Sequence, residues 1–269
     1  MEVDMTVAID QEDWKKVLAE LVGTFFFFFV GIGSIAGASQ SGTVGLLVIA
    51  LAHGLALAIA ITALGPISGG HFNPAVTISL MVARKISPVL SLLYILGQLM
   101  GGVAACLALV MVLPRGIWES FDLGTPGVAV IGTGQAVLLE AVMTFFLVLA
   151  VFGTAVDPRA PKIGGFGIGL TVFVDILVGG PFTGGVMNPA RAITPAIVSG
   201  LWNDVWWIYW VGPILGGIVA ALLYRYIFLP REGDRVVTAP PVSDGPQEPP
   251  FSEPNLTDLK QDDWLARPK

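Results

Sequence analysis

ISGGHFNPAVTI at Ile67–Ile78 and FTGGVMNPARAI at Phe182–Ile193 decide the fold of this chain. Both read Gly-Gly-X-X-Asn-Pro-Ala. Asn as a cap followed by Pro in the first turn makes a sound helix start. The glycines ahead of each Asn suit an irregular backbone that packs closely. Each segment is apolar but only about ten residues long, half of the roughly 20 that cross a bilayer. Such segments read as half-helices that enter a membrane and stop midway.

The flanks repeat as well. AELVGTFFFFFVG at Ala19–Gly31 resembles LEAVMTFFLVLAVFG at Leu139–Gly153, and ILGQLMGGVAACL at Ile95–Leu107 resembles WVGPILGGIVAAL at Trp210–Leu222. Three pairs in the same order make two homologous halves. Apolar runs near Val17–Ala36, Val44–Leu64 and Pro88–Leu113 give the first half three spans. Those near Gln135–Thr154, Gly164–Val178 and Val205–Leu229 give the second half three more, the fifth being short. An odd number of spans per half turns the second upside down. The ligand path of such an inverted repeat lies near the midplane, at the repeat interface. The expectation is an all-α membrane protein of six transmembrane helices plus two re-entrant half-helices meeting N-terminus to N-terminus.

Composition agrees. The 269 residues are 54% hydrophobic and 13% charged, against about 25% charged in soluble domains. Five acids lie within Met1–Asp13 and eight within Glu232–Asp263, which leaves seven for everything between. That middle has too little charge to face water and must face lipid. No basic cluster suggests nucleic acid. The lone Cys106 excludes an internal disulfide and a cysteine metal site. Lys15, Lys16, Arg84, Lys85, Arg159, Lys162, Arg225 and Arg231 fall at one set of span ends, whereas the other set has only Arg115 and Arg191. By the positive-inside rule both termini are cytoplasmic. Residues 1–14 then form a short cytoplasmic segment, and 231–269, rich in Pro and acids, a disordered cytoplasmic tail.

On these residues the chain resembles the major intrinsic protein family, the aquaporins and glycerol facilitators, from about Leu18 to Phe228. The resemblance rests on Asn73-Pro74-Ala75 and Asn188-Pro189-Ala190, on Arg191 behind the second, and on Glu20 and Glu140 in the first span of each half. It implies a channel domain over 15–230, with halves at about 15–113 and 133–230. It also implies a homotetramer in a lipid bilayer, with no enzyme activity, cofactor or metal. The implied function is passive passage of water and small neutral solutes, with protons and ions excluded. The cell membrane is the expected site, with an internal, vacuolar-type membrane as the alternative. Physics points the same way. A helix N-terminus carries about half a positive charge, so two of them at one site repel cations. If each Asn oxygen caps its helix, its NH2 group is free to donate into the pore. Carbonyls of Gly69, Gly70, His71, Phe72, Gly184, Val186 and Met187 then line the path as acceptors, because irregular backbone at this depth requires protein or a water-filled cavity.

The family's outer constriction maps by flanking sequence onto His53, Ile176, Gly185 and Arg191. A charge at membrane depth such as Arg191 is functional by default, and there it repels cations and donates hydrogen bonds. This set is similar to that of some plant tonoplast aquaporins, which pass ammonia as well as water. Glycerol facilitators carry Asp after the pore Arg and a basic residue four positions later, where this chain has Ala192 and Ala196. Glu20 and Glu140 read as acceptors for loop backbone N–H groups rather than as a proton relay. A secondary transporter also uses inverted repeats, but it needs a coupling-ion site, and only Glu20, Glu140 and Asp175 are available. No catalytic triad, metal cluster or phosphate loop is present. Gly97, Gly101 and Gly102, with Gly212, Gly216 and Gly217, suit close packing between helices of the two halves.

Overall fold

A computed structural model describes residues 12–41, 45–161 and 163–230. The expected tail over 231–269, and residues 1–11 of the N-terminal segment, lie outside the described residues. The first repeat comprises α1 (Asp13–Ser41), α2 (Leu46–Ser68), α3 (Pro74–Val82) and α4 (Pro88–Val112). A connection holding the short α5 (Arg115–Glu119) leads to the second repeat: α6 (Thr133–Val151), α7 (Phe166–Thr183), α8 (Pro189–Ser199) and α9 (Ile208–Leu223). Six of these helices are long and apolar enough to cross a membrane; α3 and α8, at 9 and 11 residues, are not. Leu47, Leu51, Leu55 and Ile59 on α2, and Leu170, Val174 and Val178 on α7, are exposed, as lipid-facing side chains are.

Two spans run past the ends their apolar cores suggest. The fifth, expected to end at Val178, continues to Thr183, and α2 likewise passes Leu64 to reach Ser68. The physical reason is shared. Pro181 and Pro66 sit in the last turn, so the bond each removes and the kink it imposes leave the body of the span undisturbed. Gly184 and Gly69 then close the helices, each donating its N–H to the carbonyl four residues back. The extra turn delivers Ser68 and Thr183 to the pore loops. At the other ends, α6 and α9 widen into single π-helical turns at Phe152–Val156 and Tyr224–Phe228.

Glycines set the helix spacings, though not as expected. A β-carbon on Gly101 would collide with the Leu21 carbonyl of α1, and one on Gly216 with the Ala141 carbonyl of α6. These glycines therefore pack α4 on α1 and α9 on α6, inside each half. Gly102 and Gly217 also reach across, toward Thr194 and Ser79. The main crossing between halves is made by Gly54 on α2 and Gly169 on α7. Each presents its carbonyl where the other's side chain would begin.

Candidate functional site

Two capping side chains build the centre. The Asn73 Oδ1 accepts from Ala75 N at 2.8 Å, and Asn188 Oδ1 accepts from Ala190 N at 3.0 Å and Arg191 N at 3.3 Å. Pro74 and Pro189 occupy the first turns. The amide nitrogens correct the sequence reading. Asn73 Nδ2 donates to Met187 O, and Asn188 Nδ2 donates to Phe72 O, both at 2.9 Å. Each NH2 group thus spends one hydrogen on the opposite repeat and keeps one for the cavity that both residues line. The Phe72 and Met187 carbonyls are correspondingly engaged. Phe72 does not line the cavity, its ring being fully buried against Gly23, and neither does Gly69, which caps α2. Gly70, His71, Gly184, Gly185, Val186 and Met187 do line it.

The loops are held in left-handed backbone. Gly69, Gly70 and Phe72 have φ of 90°, 66° and 45°, and Gly184, Gly185 and Met187 have 86°, 60° and 53°. Phe and Met do not adopt such angles freely, so their surroundings must hold them. Glu20 does so in the first repeat: it accepts from His71 N, Phe72 N and Ser68 Oγ at 2.7–2.9 Å, and from Gln98 Nε2 at 2.8 Å. Glu140 accepts from Val186 N, Met187 N and Thr183 Oγ1 at 2.6–3.0 Å. Pro213 stands where Gln98 stands, so Glu140 lacks the fourth donor. Tyr94 and Tyr209 complete the mirror by donating to the Ser68 and Thr183 carbonyls.

His53, Ile176, Gly185 and Arg191 all line one cavity of about 330 Å³. His53 Nδ1 lies 2.9 Å from the Ile49 carbonyl, which can only accept. That nitrogen carries the proton, and Nε2 is left as the acceptor facing Arg191 Nε at 3.5 Å. Arg191 is 7% exposed, and its Nη1 donates to Gly124 O at 2.8 Å. Gly124 belongs to the α4–α6 connection, which also supplies Phe121, Thr125 and Pro126 to the cavity mouth. Sequence reasoning missed this contribution, since the connection has no repeat partner and no charged motif. His71 lines the inner part, with Nδ1 3.1 Å from Thr77 Oγ1.

Comparison with known proteins finds similarity over most of the chain. The major intrinsic protein family matches residues 8–224. Aquaporin TIP4-4 of Zea mays is 44% identical over 231 residues, covering 81% of this chain and 88% of its own. Probable aquaporin TIP3-2 of Arabidopsis thaliana is 42% identical, over 80% of this chain and 84% of its own. Among solved structures, the aquaglyceroporin of Plasmodium falciparum superposes with a TM-score of 0.69 over 80% of this chain and 96% of its own. At 23% identity that likeness speaks for the fold.

Proposed function

The chain belongs to the major intrinsic protein family as an aquaporin-type membrane channel, and from that premise we propose that it conducts water and ammonia while excluding ions. One observation carries the reading: a single cavity is lined by both capping asparagines and by Arg191. Two helix N-termini and a guanidinium give it a positive field, with no carboxylate among the described residues that line it, which disfavours cations. Water meets one free N–H from each Asn and so points its hydrogens away from the centre, which interrupts a proton wire.

His53, Ile176, Gly185 and Arg191 act as the selectivity filter in this reading. The Nε2 acceptor of His53 beside the Arg191 donor offers a small polar solute both kinds of partner. Ala192 and Ala196 weigh against a glycerol facilitator. The channel domain covers 15–230, with both termini cytoplasmic, in a homotetramer. A vacuolar-type membrane suits this filter and the TIP-type relatives better than the cell membrane does.

Stopped-flow light scattering on proteoliposomes tests the reading. Water and ammonia should cross fast and without saturation, glycerol slowly, and His53→Phe should reduce ammonia flux more than water flux. Osmotic flux no greater than that of empty vesicles, with folded protein verified, would sink it.

A further inference from the structure

The filter quartet has a mirror image in the other half of the pore. His53 stands 20 residues before Asn73, while Ile176 and Gly185 stand 12 and three before Asn188, and Arg191 three after it. Exchanging the two asparagines turns those offsets into Ile168, Ile61, Gly70 and Val76. All four line the same cavity as the filter. They belong to its far side, because α7 and α2 run in opposite senses through the inverted repeat.

The packing is mirrored together with the positions. A β-carbon on Gly185 would sit 3.0 Å from Ile176 Cα, and one on Gly70 would sit 3.3 Å from Ile61 Cα. In both halves, then, a left-handed glycine of the loop lies directly on an isoleucine of the preceding span. Chemistry is what differs. The outer ring holds an imidazole and a guanidinium, whereas the four inner positions carry no side-chain donor or acceptor; the imidazole on that side, His71, follows Gly70 on the loop and has its Nδ1 3.1 Å from Thr77 Oγ1. Part of the reason is steric. His53 fits because Gly31 beside it has no side chain, a β-carbon there falling 2.6 Å from the ring. The corresponding position next to Ile168 is Val151, which lines the cavity itself.

We infer that Ile61, Gly70, Val76 and Ile168 form a second selectivity ring, apolar and in series with the polar outer one. The inference rests on the channel reading above and deepens it. A single-file water keeps its neighbours before and behind while it crosses such a ring. Urea or glycerol carries several polar groups to the sides and must leave unpaired those that face the apolar side chains, which is costly for each group. A hydrophobic constriction also resists hydrated ions, by dewetting. The outer ring therefore selects for groups it can bond, and the inner ring selects against groups it cannot.

Barriers in series give a distinctive test, because relieving one leaves the other limiting. Val76→Thr keeps the volume and adds a hydroxyl; Ile168→Thr adds one on a different helix, with Ile168→Val as the control for its smaller size, should the first variant fold poorly. Each is combined with His53→Ala, and urea and glycerol fluxes are divided by the water flux of the same proteoliposomes. The combination should raise the solute-to-water ratio about tenfold above His53→Ala alone, equivalent to one decade of barrier. A combined ratio no larger than that of His53→Ala would overturn the inner ring and leave the channel reading standing. Absence of water flux with the unaltered protein would overturn both.

Discussion

Glu140 and Asp175 are both buried carboxyls of the second repeat, yet their surroundings are unlike. Three donors converge on Glu140. Asp175, 7% exposed on α7, has an Oδ2 with no hydrogen-bond partner, and its mirror position in α2 is Ala60. Removing a buried acid whose partners stay behind costs about 3–5 kcal/mol; removing one that is poorly partnered is close to neutral. Glu140→Ala should therefore strongly lower the unfolding temperature in detergent. Asp175→Ala should leave it unchanged or raise it, and a drop as large as that of Glu140→Ala would reveal a partner for Asp175. Glu20 and Glu140 are legible in the sequence because they recur at matching places beside loops that need acceptors. Nothing comparable announces Asp175, whose role has no symmetric copy to read.

Helices are legible here by their apolar content, and their ends are not. Hydropathy stops at Leu64 and Val178, whereas the helices stop where glycines can turn left-handed, at Gly69 and Gly184. Close approaches are hidden for a related reason: the sequence displays small residues without saying which neighbour needs them. Gly169→Val should abolish folded protein on size-exclusion chromatography, because its side chain would meet the Gly54 carbonyl. Gly37, in α1 with nothing within 4 Å of a β-carbon, is the contrasting case; Gly37→Ala should gain about 0.5–1 kcal/mol from helix propensity. The turn after α6 adds a pH dependence. Asp157 accepts from Arg159 Nε, Arg159 Nη2 and Tyr224 Oη, and Arg159 Nη2 also donates to Phe228 O. These donors, Arg159 first, hold the Asp157 carboxyl down to about 2, below its ordinary 3.8. A depressed carboxyl stabilises the fold above its unfolded value and ceases to do so as pH falls through its folded one. Thermal stability should accordingly fall between about pH 4 and pH 2. Asp157→Ala should remove that part of the decline in a pH series of melting curves.

Across the whole molecule, the inverted repeat explains both what the sequence discloses and what it withholds. Matching segments reveal the two asparagines, the two acids and the pairing of halves. They say nothing of Gly124, which bonds Arg191 from the unrepeated connection, nor of where each asparagine amide points. Those amides cross over: Asn73 reaches Met187 and Asn188 reaches Phe72. Residues joined in this way should not behave independently. A double-mutant cycle on Asn73→Ala and Asn188→Ala, read by unfolding in detergent, should give a coupling of about 0.5–3 kcal/mol. Strict additivity would mean that the crossing bonds carry no shared energy.

The exchange of amide bonds bears on how such a protein can change over time. Each half borrows from its twin the acceptor that finishes its own centre, so neither half-pore is complete by itself. Lipid-facing positions, and even the rings on either side, are at liberty to drift apart, as His53 and Ile168 have done. The clasp at the middle has no such liberty: an alteration on one side leaves a donor or a carbonyl stranded on the other. Two copies that can otherwise diverge are thereby obliged to keep answering each other at a single place.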